Sequence, residues 1–142
     1  GGAQMTATDS RITGAKGLEV RQQNSAFTGH NTSLIGTTGA GVSMVGDASL
    51  VLDSGSSVQG ATHGIAIAMI PGATPGNNTV NLTDTIVSGA NGSAIFASSV
   101  SHSDITVAGA STLRGSDGRL SMINSNFKGS GSSTSFSRAH SR

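Results

Sequence analysis

Cysteine, tryptophan and tyrosine are absent from this 142-residue chain, and phenylalanine occurs only four times. Without cysteine there is no disulfide framework and no thiolate metal site, a condition that fits a secreted or surface bacterial protein as well as a cytosolic one. Charge is scarce too: Asp, Glu, Lys and Arg make up 11% of the residues and the formal net charge is +1. Arg11, Lys16 and Arg21 are scattered rather than gathered into a basic patch. With no Trp or Tyr on which bases could stack, the sequence argues against a nucleic-acid partner. Long hydrophobic runs are missing, and the most apolar stretch, residues 64–70, is far too short to span a bilayer, so no membrane insertion by this segment is expected. No signal peptide is visible. Gly1 is not a natural start, so the chain reads as a fragment without its targeting information.

Glycine, at 21 residues, is abundant, and Ser, Thr, Asn and Ala fill much of the remainder. A chain of such low hydrophobicity can fail to offset its ordering entropy and stay unfolded. Disorder does not explain the periodicity, however. The phrase Ser57-Val58-Gln59-Gly60-Ala61 returns as Arg11-Ile12-Thr13-Gly14-Ala15, Ser33-Leu34-Ile35-Gly36-Thr37, Ile86-Val87-Ser88-Gly89-Ala90, Thr112-Leu113-Arg114-Gly115-Ser116 and Asn126-Phe127-Lys128-Gly129-Ser130. Its glycines are separated by 22, 24, 29, 26 and 14 residues, the last interval being out of family. A second apolar run starts 4 to 6 residues after the glycine, at Leu18, Val42, Ile65, Ala94 and Leu120. A third precedes it: Leu50 and Leu52, Val80 and Leu82, Ile105 and Val107.

Three short alternating runs in a repeat of about two dozen residues predict one circuit of a solenoid. The fold class that follows is all-β: a right-handed single-stranded parallel β-helix of about five to six coils, a rod segment roughly 25 to 30 Å long at the inter-strand spacing. No coil is stable alone; stacking supplies each with hydrogen-bond partners and a continuous apolar interior. Residues 1–129 carry the β-helix repeats. Residues 130–142 read as a low-complexity, disordered tail, leaving a frayed, open C-terminal end with an exposed sheet edge.

The alternation assigns side chains to faces. Met5, Ala7 and Ile12 are expected inward around a polar turn at residues 6–10, and Ala26 and Thr28 are a degraded copy of the run that becomes Leu50 and Leu52. Leu18 and Val20 point in, Glu19 and Arg21 out. Leu52, Leu82 and Val107 should form one buried column. Both prolines lie in the longest interval, so Pro71 to Asn78 reads as a protruding loop.

Catalytic carboxylates on a β-helix must converge from neighbouring coils to flank one bond, so their register decides. Asp9 and Asp84 share an offset from their corner glycines but lie three circuits apart, about 14 Å along the rod. Asp47, Asp53, Asp104 and Asp117 stack with no other carboxylate. His30, His63, His102 and His140 fall at unrelated offsets, with no HxH or HExxH spacing, and read as solvated side chains rather than ligands. The sequence therefore assigns no catalytic, cofactor-binding or metal-ligating residue and implies no cofactor; the binding residues stay unknown. Acceptor tripeptides for glycosylation at Asn31, Asn77, Asn81 and Asn91 are weak signals in a chain so rich in Asn, Ser and Thr.

The recurring corner, as in Ser57 to Ala61 and Ile86 to Ala90, with its Leu-Val-Leu and Thr-Val-Asn-Leu strands, resembles the passenger domain of pertactin-like bacterial autotransporters over about residues 3 to 129. The resemblance implies a right-handed β-helix displayed at the bacterial cell surface, on the outer membrane or secreted, as a non-enzymatic adhesin or virulence factor. Its partners would be host-cell surface proteins or glycans, and a C-terminal translocator barrel is missing from the chain. The corner glycines are architectural, so no functional residue carries over. The alternatives are a carbohydrate-active β-helix, pectin-lyase-like or tailspike-like, and a non-functional truncated passenger.

Overall fold

The structure, a computed structural model, describes residues 2–21, 23–67, 76–98, 102–117, 120–122, 125–129 and 135–136. The first coil is β1 (Gln4–Thr8), β2 (Arg11–Gly14) and β3 (Leu18–Arg21); the second is β4 (Ala26–His30), β5 (Ser33–Gly36) and β6 (Val42–Val45). The third is β7 (Ser49–Asp53), β8 (Ser57–Gly60) and β9 (Ile65–Ile67), and the fourth is β10 (Asn77–Thr83), β11 (Ile86–Gly89) and β12 (Ile95–Ala97). A fifth, β13 (His102–Ala108), β14 (Thr112–Gly115) and β15 (Leu120–Met122), is followed by β16 (Ser125–Gly129) and β17 (Ser135–Phe136). Every third strand pairs in parallel, giving sheet A from β1 to β16, sheet B from β2 to β17 and sheet C from β3 to β15. The chain is a parallel β-helix. About four of its turns have a neighbour on both sides, slightly fewer than the five to six coils expected, because end strands are paired along one edge only. β17 lies inside the stretch read as a tail and pairs with β14; the rest of residues 130–142 lies outside the described residues.

Register makes the core. Leu52, Leu82 and Val107 are direct partners and each is at most 1% exposed, as the alternation required. Beside them run Phe27, Leu50, Val80 and Ile105. On sheet C, Val42, Ile65 and Ile95 form one column and Met44, Ile67 and Ala97 another. Leu34, Val58, Val87 and Leu113 line sheet B. Burying one or two such side chains per strand contributes roughly 1.5 to 3 kcal/mol each, which only a stack can collect.

Three assignments need correction. In β4 the inward residues are Phe27 and Gly29, not Ala26 and Thr28. Gly29 carries no apolar signal, yet it is buried: an added Cβ would sit 2.8 Å from Leu52 Cδ2 and 3.1 Å from Phe27 Cε1, so two large neighbours occupy its place. Gly129 does not extend the corner column but pairs with Val107 in sheet A, which accounts for its short interval. Met5 occupies the inward column, opposite Phe27, but is 52% exposed because no coil covers the first one among the described residues.

The corners differ in chemistry. Between sheets B and C, Gly14, Gly36, Gly60, Gly89 and Gly115 stack in one column. None of these has positive φ; glycine is needed there because a Cβ on Gly36, Gly60 or Gly89 would fall on the carbonyl oxygen of Ala40, His63 or Ser93. Between sheets A and B the turn uses the left-handed region, at Asp9, Asn31, Ser54, Gly55, Asp84 and Gly109. Asn and Asp tolerate that region through local side-chain bonding. Inside this corner runs a ladder of buried hydroxyls, Thr32, Ser56, Thr85 and Ser111. Thr85 Oγ1 donates to the carbonyls of Leu52 (3.2 Å) and Thr83 (2.9 Å), and Ser111 Oγ accepts the Thr85 N–H at 3.1 Å. Carbonyls at the ends of the sheet A strands are thereby satisfied.

Candidate binding surface

The outward positions of sheet A make a long, largely polar face of the rod. Alternation places Thr6, Thr28, Val51, Asn81 and Thr106 in one row by direct pairing. A flanking row holds Gln4, Ala26, Ser49, Thr79 and Asp104. Rungs repeat at about 4.8 Å, so hydroxyl and amide groups recur at that interval along the axis. No phenylalanine stands outward on this face among the described residues; its rings are the imidazoles of His30 and His102, each bonded to a carboxylate, and its other outward groups offer hydrogen bonds.

The carboxylates lie where register reasoning put them, yet they are occupied. Asp9 and Asp84 share the A/B corner in the first and fourth coils. Asp9 Oδ1 accepts from Asn31 Nδ2 at 2.8 Å, and Asp84 Oδ1 from the Ala110 N–H at 2.8 Å. Asp47 Oδ1 accepts the Asn77 N–H at 2.7 Å. Each of these bonds joins one coil to the next. Asp53 stands opposite His30 in register; its Oδ1 lies 2.6 Å from His30 Nδ1 and also accepts from Ser54 Oγ at 2.9 Å. The His30 bond, then the Ser54 bond, hold the Asp53 carboxyl below its ordinary value. His102 Nε2 and Asp104 Oδ1 are 3.1 Å apart. On the first coil Glu19 meets both Lys16 and Arg21.

No family model, curated protein or solved structure matches this chain. Its reading therefore rests on the residues themselves. The three described histidines are not simply solvated, as their offsets had suggested; His140 lies outside the described residues. His30 and His102 lie within hydrogen-bond distance of carboxylates, those of Asp53 and Asp104. His63 is half-buried in the B/C corner, with its ring centroid 4.8 Å from that of Phe96, and its Nδ1 accepts the Ser93 N–H at 2.9 Å. Burial pushes its pKa down, offset in part by the Ser93 backbone and by Asp117. Among the described residues, no three His, Asp or Glu side chains converge as a metal site would require.

The expected Pro71 to Asn78 loop divides in two. Residues 71–75 lie outside the described residues, whereas Asn77 and Asn78 belong to β10. Asn78 is fully buried, with Oδ1 accepting the Ala48 N–H at 3.3 Å, so it is a wall residue and not part of a protruding loop. Two acceptor tripeptides are engaged internally as well: Asn31 through Asp9, and Asn91 through its Nδ2 bond to the Ala61 carbonyl at 2.9 Å. Sequence reading missed the hydroxyl ladder because Ser and Thr are common everywhere in this chain. One signal was available: Thr32, Ser56, Thr85 and Ser111 each immediately precede the first residue of a sheet B strand.

Proposed function

We propose that this chain is a non-enzymatic β-helical rod of a bacterial surface or secreted protein, akin to an autotransporter passenger, whose sheet A face takes part in adhesion to host-cell proteins or glycans. The observation that carries this reading is the engagement of the carboxylates. Asp9, Asp47, Asp53 and Asp84 are each bonded to a neighbouring coil, so their chemistry is spent on holding the stack. What remains for a ligand is an extended face rich in hydroxyl and amide groups, interrupted by Ala26 and Val51 and charged at Asp104 and Lys128. Affinity on such a face comes from many weak contacts along the axis, as multivalent surfaces bind.

The competing reading is a carbohydrate-active β-helix. It needs one carboxylic acid and one carboxylate flanking a glycosidic bond at about 5 to 9.5 Å. The experiment that separates the two is binding to immobilised host-cell glycans and surface proteins, run beside an assay for reducing ends released from polysaccharides. Retention without product, lost in a Thr28→Arg/Thr106→Arg double variant, supports the adhesive rod. Released reducing ends, abolished by Asp53→Asn, would replace it with the enzyme. A chain that retains nothing and releases nothing fits a non-functional truncated passenger.

A further inference from the structure

Among the described residues, two buried side-chain groups have no hydrogen-bond partner in the protein, Asn78 Nδ2 and Ser103 Oγ. They are direct partners in register, on β10 and β13, and both residues are fully buried. The buried hydroxyls of the A/B corner, Thr32, Ser56, Thr85 and Ser111, are all bonded, so the unmet pair is confined to one rung. Left as they are, both groups give up their hydration on folding and gain nothing for it.

Register places Ser25, Ala48, Asn78 and Ser103 in one inward column at the C/A corner, where sheet C hands the chain on to sheet A. Side chains of this column reach back to the preceding coil: Ser25 Oγ accepts the Ala3 N–H at 3.4 Å, and Asn78 Oδ1 accepts the Ala48 N–H at 3.3 Å. That second bond fixes the amide. A backbone N–H needs an acceptor, so the oxygen lies on the side of the third coil and Nδ2 is turned away from it, toward the fifth. There it faces the rung of Ser103. The two groups are not bonded to each other, so a gap wider than one hydrogen bond separates them, which is the spacing at which a bridging atom is expected. Ala48 and Ser103, the amide's neighbours along the column, are small side chains that bring little carbon to the site.

We infer that Asn78 Nδ2 and Ser103 Oγ bind one internal water molecule, which links the fourth coil to the fifth at the C/A corner. The chemistry of the pair selects this ligand. It must accept from Nδ2, which can only donate, and it must either donate to the hydroxyl or accept from it. A cation cannot accept. An anion can, but no charged side chain is fully buried among the described residues, so the anion would enter the core unpaired at high cost. Water is neutral, does both, and occupies polar interior sites of this kind in other globular proteins. The site faces the core and not the outer surface of sheet A, so the inference goes beyond the adhesive reading and does not depend on it.

Two measurements test it. In the isotope-labelled 142-residue protein, magnetic cross-relaxation between water and the Asn78 side-chain amide protons should carry the sign of a long-lived contact. Relaxation dispersion of the solvent oxygen nucleus should then count one long-lived water fewer in Ser103→Val, where methyl groups replace the hydroxyl and fill the site. The melting temperature of that variant should fall by roughly 4 °C, because Asn78 Nδ2 is left with no partner at all. The inference is overturned by a parent without that cross-relaxation or by an equal count of long-lived waters in the two proteins. It is also overturned by a Ser103→Val melt at or above the parent's, the result of simply deleting an unmet hydroxyl. The cross-relaxation needs no variant, so it decides the matter even where Ser103→Val fails to fold.

Discussion

The two well-defined corners of each coil turn the chain through the same kind of angle by opposite means. At the B/C corner a glycine at ordinary φ lets backbone approach backbone, and Gly60 has no room for even a methyl group against the His63 carbonyl. At the A/B corner Asp9, Asn31, Ser54 and Asp84 occupy the left-handed region alongside Gly55 and Gly109, and polar side chains or the hydroxyls beneath them bond the turn. The first corner depends on the absence of atoms and the second on their presence. One should fail when something is added, the other when something is taken away.

A core substitution that disables both corners together sets the upper end of the scale. Ile67 is fully buried between Met44 and Ala97; Ile67→Asp should cost on the order of 5 kcal/mol, through a buried carboxylate without a partner, and unfold the neighbouring coils in a thermal melt. Gly60→Ala, one added carbon at the B/C corner, should cost about 3 kcal/mol. A melt like the parent's would mean that the close approach is not what selects glycine. At the other corner, Thr85→Val keeps the shape and removes the hydroxyl whose one proton is shared between the Leu52 and Thr83 carbonyls, so about 2 kcal/mol should be lost, because the buried Leu52 carbonyl is left without that donor.

Acid should affect the B/C corner at milder pH than the A/B corner. The folded-state pKa of His63 lies below 6.5, so the unfolded chain takes up the proton first. This contribution is complete above pH 6.5 and is lost as pH falls from there toward the lowered folded value. Melting temperature should therefore fall as pH is lowered through that window, and His63→Gln should flatten the dependence. Asp53 follows the same sign in a lower window: its contribution is present above 3.8 and declines as pH falls below that value. The smallest effect is expected for Asn31→Gly, which loses the Asp9 bond but eases a positive φ, leaving a net change within about 1 kcal/mol. Asn31→Ala should be worse, since it loses the bond and keeps the strain.

These contrasts also explain which parts of the architecture were readable in advance. A glycine forced by close approach recurs as a visible letter, and Gly14, Gly36, Gly60, Gly89 and Gly115 were found by spacing alone. Columns such as Leu52–Leu82–Val107 were readable because branched apolar side chains alternate around them. Gly29 was not, because an inward position filled by its neighbours looks like a turn, and the strand slipped by one residue in the reading. Asn78 and the hydroxyl ladder escaped for a related reason: in a chain full of polar residues, a buried Thr or Asn has the same letter as an exposed one. The sheet A face was legible only as strand alternation. Its pairing of His30 with Asp53 depends on coils 23 residues apart coming into step, and the intervals between corner glycines do not fix which side chains then meet.

The stacking has one more result, which concerns how the molecule comes apart. Each coil touches chiefly the one above and the one below, as links in a single file do. Melting should begin at an end and travel coil by coil, with interior coils last to exchange their amide hydrogens. Pulled from its termini, such a filament would shed chain in instalments of one circuit and would not rupture all at once.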